Sequence, residues 1–336
     1  MKEALLYQQL ANNKVKCLAC AHQCVLAPNQ RGICGVRINK QGKLYSLIYQ
    51  RAITENVDPI EKKPLFHFLP GSLALSIATI GCNFTCLHCQ NFSISQYPHS
   101  HNNEIIGQIL SPQQVIDDAL ANHCQSIAYT YTEPTIFFEY ALAIMKLAKK
   151  NKLKNVWVSN GYFTEQTARL VAPYLDAINI DLKFFDDQLY QQVCGGRLQP
   201  ILNSLKLIKQ LNVWLEVTTL LIPGYTDQKN QLSKIAKFIA NELDVNTPWH
   251  ISRFSPVYKM LEVSPTPIDL IKATAKIGKQ AGLHYVYTGN FLDDKSENTY
   301  CPNCQTLLVQ RQGYQIERFD QQEKCPKCGQ KIDLIY

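Results

Sequence analysis

The sequence predicts an α/β protein: a partial (β/α)6 barrel with one small cysteine-rich module before it and another after it. Three observations carry that prediction. Strand-like and helix-like runs alternate between residues 73 and 295, the pattern of a parallel sheet joined by right-handed crossovers. Polar residues recur just past the predicted strand ends, where barrels of this kind place function. The 13 cysteines gather into three short-range groups and two strays, Cys124 and Cys194. The expected organisation is a Cys-rich metal-binding module over 1–41, a strap over 42–72, the barrel over 73–295 and a zinc-ribbon-like module over 296–336.

The N-terminal module holds Cys17, Cys20, Cys24 and Cys34 as C-x2-C-x3-C-x9-C, with His22 among them. Four thiolates fill a shell, so His22 reads as a bystander. Spacing alone does not choose between zinc and an iron–sulfur cluster, because thiolates serve both. This segment is also the basic part of the chain. Residues 1–65 carry 10 Lys/Arg against 4 Asp/Glu, nearly all of the net +7. No run of five or more basic residues accompanies it, which argues against nucleic acid and fits a solvated face or a protein-docking surface. In the strap, Leu44, Tyr45, Leu47, Ile48 and Tyr49 suggest one short strand, and the Pro-punctuated DPIEKKPLFHF reads as irregular chain over the barrel mouth or as packing.

The barrel begins with a strand over Leu73–Thr79, followed at once by Cys82, Cys86 and Cys89 in IGCNFTCLHCQN. Ser111-Pro112 caps a helix bearing Val115, Ile116, Ala119 and Leu120. Ser126–Tyr131 is the second strand and Glu133 follows it; Pro134 opens a helix that runs to Lys149. Further strands are expected at Asn155–Ser159, Ala177–Leu182, Val213–Leu221, Trp249–Phe254 and His284–Tyr287, with helices near 164–172, 200–211, 227–243 and 267–282. At their ends stand Asn160, then Asp181 and Lys183, then Pro223-Gly224, then His250 and Arg253, then Asn290. Singly each has an ordinary structural reading, such as a cap, a surface lysine or a core histidine; their shared position raises them as a set.

The C-terminal module pairs two CPxC knuckles, Cys301/Cys304 and Cys325/Cys328, across a segment alternating Leu308, Tyr314, Ile316 and Phe319 as a hairpin would. Two knuckles complete a tetrahedral S4 shell suited to zinc, and so short a module needs the metal to fold. Its local charge is zero, which again argues against nucleic acid.

The three-cysteine loop is short of a closed structural site, which wants four ligands; completion by His88 or His67 as zinc is the alternative. C-x3-C-x2-C resembles the radical S-adenosylmethionine (AdoMet) enzymes. That resemblance implies a 4Fe–4S cluster on Cys82, Cys86 and Cys89, AdoMet on its open iron, and reductive cleavage to a 5′-deoxyadenosyl radical that abstracts hydrogen from substrate. His88 stands where many members carry another aromatic residue. CNFTCLHCQN, YTYTEPT, SNGY and DLK are similar to the pyruvate formate-lyase activating enzyme-like branch. The N-terminal C-x2-C-x-H-x-C…RGICGVR segment, DPIEKKPLFHFLPGS, YTGN and the CPxC…CPxCG ribbon resemble the radical SAM proteins of the AmmeMemoRadiSam system.

By position the resemblance implies Glu133 near the AdoMet amino group, although Tyr131 and Thr132 stand where the family has glycines. It implies Asn160, Asp181 and Lys183 as AdoMet contacts, Lys183 toward the methionyl carboxylate, and His250 near the ribose. It also implies a reduced flavodoxin or ferredoxin-type electron donor, a protein or peptide substrate and AmmeMemoRadiSam partners. Radical modification of a small molecule is the alternative within the same chemistry; an iron–sulfur electron carrier or scaffold is the non-enzymatic one. The opening residues lack a signal-peptide apolar core and no run of about 18 apolar residues exists, so a cytoplasmic protein with reduced thiols and no membrane contact is expected.

Overall fold

The computed structural model describes residues 1–291 and 295–336. Its centre is an eight-stranded sheet: β1 (Thr54–Pro59), β2 (Leu73–Ala78), β3 (Ser126–Tyr129), β4 (Lys154–Ser159), β5 (Ala177–Asp181), β6 (Trp214–Leu221), β7 (Trp249–Arg253) and β8 (Val286–Gly289). The strands lie side by side in chain order. β2 to β8 are parallel; β1 pairs antiparallel with β2, Thr54 opposite Ala78. β8 and β1 stand at opposite ends of that order, so the barrel is open.

The parallel strands read as apolar runs because both faces are covered. All four residues of β3 are buried, and Trp157 and Trp249 are fully buried. Between strands run α1 (Pro112–Ala121), α2 (Phe138–Lys150), α3 (Glu165–Val171), α4 (Leu198–Gln210), α5 (Lys229–Phe238) and α6 (Ile268–Gln280). The α1 cap is the one the sequence announces: Ser111 Oγ accepts from Gln114 N, and the Gln114 side chain accepts from Ser111 N. Among the described residues, no helix is long and apolar enough to cross a membrane.

Three details differ from expectation. The Pro134 helix starts as a 3-10 turn, Pro134–Phe137, because the Glu133 carboxylate takes the Thr135 N–H and fixes a tighter entry. The 227–243 helix ends as a π turn, Ile239–Leu243. The last strand sits two residues later than His284–Tyr287, because His284 N is already bonded to Val245 O.

The flanking segments pack onto this sheet. Residues 1–46 form two small antiparallel sheets, Lys2–Glu3/Lys43–Ser46/Arg37–Lys40 and Tyr7–Gln9/Val15–Cys17/Val25–Leu26. The segment 42–72 supplies β1 and, beyond it, Phe66 and His67, whose N–H groups bond to the two oxygens of Glu216 on β6 at 3.0 and 2.9 Å. The C-terminal module is a three-stranded sheet of β9 (Thr299–Tyr300), β10 (Leu307–Gln312) and β11 (Gln315–Arg318). It shares an apolar cluster with Phe66, Tyr285 and Tyr287.

Candidate active site and metal centres

The C-terminal ends of the parallel strands open into a cavity of about 560 Å3, within the range of small-ligand and cofactor sites. Cys82, Cys86, Cys89, Glu133, Asn160, Asp181, Lys183 and His250 all line it. The strap contributes Lys62, Lys63 and Phe66 to the wall, and the β10–β11 turn contributes Gly313 and Tyr314.

The cysteine loop is fixed from behind. Gly81 has φ +91°, and a Cβ there would lie 2.7 Å from Cys34 O and 2.7 Å from Val36 Cγ1. Only glycine allows the chain to leave β2 so close to the N-terminal module. Thr85 N and Leu87 N donate to Cys194 O and Val193 O. Asn160 Nδ2 donates to Asn83 Oδ1 at 2.7 Å, while Asn160 Oδ1 accepts from Tyr162 N. Asn160 thus ties the end of β4 to the loop.

Glu133 is buried and accepts four bonds: Thr135 N at 3.0 Å, Thr135 Oγ1 at 2.6 Å, Ser159 Oγ at 2.9 Å and Asn160 N at 2.8 Å. Burial pushes its pKa up, and these donors oppose the rise. Lys183 Nζ donates to Asp181 Oδ2 at 2.7 Å. Burial alone would lower the Lys183 pKa, but Asp181 and the thiols of Cys86 and Cys194 outweigh it and hold the pKa well above its ordinary value. A fixed cation therefore stands beside the cysteine loop. His250 Nε2 meets Glu216 Oε2 at 2.6 Å, with its ring edge-on to Phe66 at 4.7 Å.

Tyr131 stands where the resemblance expects glycine, and it adopts a glycine-like backbone, φ +62°. Its carbonyl accepts from Asn91 Nδ2 at 2.8 Å, its hydroxyl donates to Asp58, and the Lys63 ammonium lies 5.1 Å above its ring. These contacts hold a conformation that a free tyrosine would avoid.

The sequence profile of the radical SAM superfamily matches residues 76–238. An uncharacterized protein of Methanocaldococcus jannaschii is 40% identical over 338 residues, covering 100% of both chains. The pyruvate formate-lyase-activating enzyme of Clostridium pasteurianum is 21% identical over 177 residues, 51% of this chain and 72% of its own. The crystal structure of Streptococcus suis SuiB bound to precursor peptide SuiA aligns with TM-score 0.51 at 14% identity, over 69% of this chain and 51% of that one. At that identity the likeness concerns the fold. The chain belongs to the radical SAM superfamily. Within it, the chain is related to the activating enzymes.

Radical SAM proteins use a 4Fe–4S cluster and AdoMet, and the residues present fit both groups. Among the described residues, Cys82, Cys86 and Cys89 do not form a set with sulfurs within 4.8 Å of one another, so they are too far apart for one tetrahedral zinc. His67 does not join them; its Nδ1 and Nε2 are taken by Asp333 O and Tyr287 Oη. His88 is 4% exposed, lines the cavity, and has neither ring nitrogen hydrogen-bonded. Burial first, then Lys183, pulls its pKa down to about 3, so it is a neutral planar ring.

Sequence reasoning missed several residues. Cys194, read as a stray, is buried with its sulfur within 4.8 Å of Cys86 Sγ and a His88 nitrogen. Nothing in its local sequence signals this, because a π turn, Tyr190–Cys194, carries it there. Glu216 is fully buried mid-strand, and its pattern in VWLEVTT was the available sign: a carboxylate inside an apolar run needs partners.

The outer cysteine groups differ from each other. The ribbon thiols Cys301, Cys304, Cys325 and Cys328 lie within 4.8 Å of one another, with Cys301–Cys328 at 3.6 Å and Cys304–Cys325 at 3.5 Å. Cys17, Cys20, Cys24 and Cys34 share one small pocket with His22, whose Nε2 meets Asn83 O at 2.7 Å.

Proposed function

We propose that this protein is a radical SAM enzyme that binds a 4Fe–4S cluster on Cys82, Cys86 and Cys89 and acts on a protein or peptide substrate. Bound together, cluster and AdoMet supply one-electron cleavage of the sulfonium C–S bond, giving methionine and a 5′-deoxyadenosyl radical that takes a hydrogen atom from substrate. The observation that carries the reading is the arrangement of three loop thiols and the unpartnered His88 in one cavity at the strand ends.

The chain's own residues then divide the work. Lys183, held by Asp181, offers its charge to the methionyl carboxylate. Glu133 and Asn160 brace the strand ends and the loop, presenting the edge that meets the amino group. His88 packs against the adenine, and His250, oriented by Glu216, faces the ribose.

A protein or peptide substrate is supported by the open mouth, walled by the strap and by Tyr314, which is 61% exposed. Two similar proteins, an activating enzyme of pyruvate formate-lyase and SuiB, solved with its precursor peptide, point the same way. The electron donor belongs to the flavodoxin or ferredoxin type, and the branch is the AmmeMemoRadiSam group, on the N-terminal, strap and ribbon motifs. The ribbon thiols hold zinc: a metal–sulfur distance of about 2.3 Å sets sulfurs about 3.8 Å apart in a tetrahedron, near the spacing found.

The test is anaerobic reconstitution with iron, sulfide, AdoMet and a strong reductant, with 5′-deoxyadenosine quantified against Cys86→Ala. Product absent from the variant supports the proposal. A chain that takes up no cluster on these cysteines sinks it. Deuterium passing into 5′-deoxyadenosine from a labelled peptide, and not from a labelled small molecule, decides the substrate class.

A further inference from the structure

The N-terminal cysteines sit behind the radical SAM loop, and their geometry differs from that of the ribbon. All four line one pocket. Two of them converge there: a Cβ on Gly32 would lie 3.8 Å from both Cys24 Sγ and Cys34 Sγ. Yet among the described residues no three of the four sulfurs come within 4.8 Å of one another, a condition the ribbon quartet meets in full. A single tetrahedral zinc holds its thiolates about 3.8 Å apart. A cubane carries each thiolate on a different iron, so its thiolates stand farther apart, roughly 6 Å. A two-iron cluster would gather the thiolates in two close pairs, and none of the four makes the close Sγ···Sγ contact that joins Cys301 to Cys328.

A second observation concerns the walls. Arg37 and Asn83 both line this pocket and are 2% and 1% exposed. Arg37 Nη1 and Nη2 are held by the Glu139 carboxylate, and Asn83 Oδ1 by Asn160, but Arg37 Nε and Asn83 Nδ2 have no partner. Two buried, unpartnered N–H donors on residues that line one small pocket call for acceptors. Thiolate and bridging sulfide sulfurs are acceptors of that kind, and hydrogen bonds to sulfur are a recognised means of tuning such clusters. A water molecule would satisfy the donors but would not explain four cysteines around them.

We propose that Cys17, Cys20, Cys24 and Cys34 bind a second 4Fe–4S cluster, with Arg37 Nε and Asn83 Nδ2 donating to its sulfurs, and that zinc is confined to the ribbon. Asn83 follows Cys82 directly and lines this pocket, and a Cβ on Gly81 would lie 2.7 Å from Cys34 O, so the N-terminal pocket backs onto the loop that carries Cys82. This assignment does not depend on the proposed function, because its readout is metal content.

The experiment uses the full chain purified anaerobically, with iron, sulfide and zinc measured per chain alongside Mössbauer spectra. Wild type is expected to hold about eight iron, about eight sulfide and about one zinc. Cys82→Ala/Cys86→Ala/Cys89→Ala should retain about four iron with a cubane spectrum, and Cys17→Ser/Cys34→Ser should also fall to about four while keeping its zinc. About four iron and about two zinc in wild type would overturn the proposal, as would about two iron left in the triple variant. If either variant fails to fold, the wild-type iron-to-zinc ratio still decides. If instead the central loop takes no cluster, wild type and the triple variant both hold about four iron, and the two proposals part company.

Discussion

At the C-terminal end, four cysteine sulfurs lie within 4.8 Å of one another on two knuckles of a small sheet. At the N-terminal end, four cysteines line a pocket without any three coming that close. The attachments differ as well. The ribbon leans on the barrel through apolar contacts with Phe66, Tyr285 and Tyr287, and through Arg311, whose guanidinium donates to Phe66 O, Glu297 O and Thr299 Oγ1 at 2.7 to 2.9 Å. The N-terminal module is bound by an ion pair: Arg37 to Glu139 on α2, at 2.8 and 2.5 Å, with side chains 3% and 2% exposed. The same cysteine count therefore serves two designs. One is a closed module placed beside the cavity mouth; the other is built into the wall behind the reactive loop.

Removing the zinc proposed for the ribbon should have the largest effect. So small a sheet has little core, so its metal affinity is its folding free energy. A zinc-selective chelator should abolish hydrogen-exchange protection in β10 and β11 while leaving protection in the parallel strands. Protection that survives complete zinc loss would show that the apolar cluster alone holds the ribbon.

Next comes the ion pair. Arg37→Met leaves the Glu139 carboxylate buried and uncompensated, at a cost of about 3–5 kcal/mol. Thermal unfolding should shift down steeply, and Arg37→Met/Glu139→Leu should recover much of the loss. An unchanged single variant would mean that the N-terminal module is held instead by its bonds to Tyr162, Thr164 and Thr167 and by its apolar packing.

Arg311→Met should cost less. Thr299 Oγ1 keeps Tyr287 Oη as a partner and Glu297 is only half-buried, so of the three acceptors Phe66 O carries the main loss, about 1–3 kcal/mol, and an apolar replacement keeps its packing over the Phe66 ring, now 4.4 Å from the guanidinium. The midpoint in denaturant should fall by less than in Arg37→Met. The reverse order would mean that the ribbon, and not the N-terminal module, carries the stronger link to the barrel.

Much of this was legible in the sequence. The strands β2 to β7 fall within a residue or two of the apolar runs, because a strand covered on both faces has no polar side to blur it. The loop cysteines and strand-end polar residues converge on one cavity because a parallel barrel sends every strand end the same way. β1 was hidden for the opposite reason: TENVDP is a polar edge strand with little apolar alternation. Tyr131's glycine-like φ was hidden because residue identity argues against it, and only the tertiary partners Asn91 and Asp58 permit it. The choice of metal for the N-terminal cysteines was hidden because spacing along the chain does not fix the distance between sulfurs, whereas the paired CPxC knuckles of the ribbon announced their close quartet.

The smallest effect at neutral pH, and the one that singles out the ribbon side of the comparison, is acid sensitivity. Glu216 accepts bonds from Phe66 N, His67 N, Trp214 Nε1 and His250, and burial, which would raise its pKa, is outweighed by these partners, above all His250, so the value is about 2. A depressed carboxylate contributes stability that is full above its unfolded value near 4.5 and is lost as pH falls toward 2. His67 beside it is lowered to about 4, chiefly by burial, while Asp333 O and Tyr287 Oη occupy its nitrogens. The unfolded chain protonates that histidine near 6.5, so its contribution drains between pH 6.5 and 4. Both windows point the same way, and both groups tie the strap to β6 and to the ribbon. The melting temperature should therefore fall continuously from pH 6.5 downward, with exchange protection lost first around Phe66 and β10, and Glu216→Gln should flatten the part below 4.5. A wild-type profile level down to pH 4 would show that His67 titrates as freely in the fold as outside it.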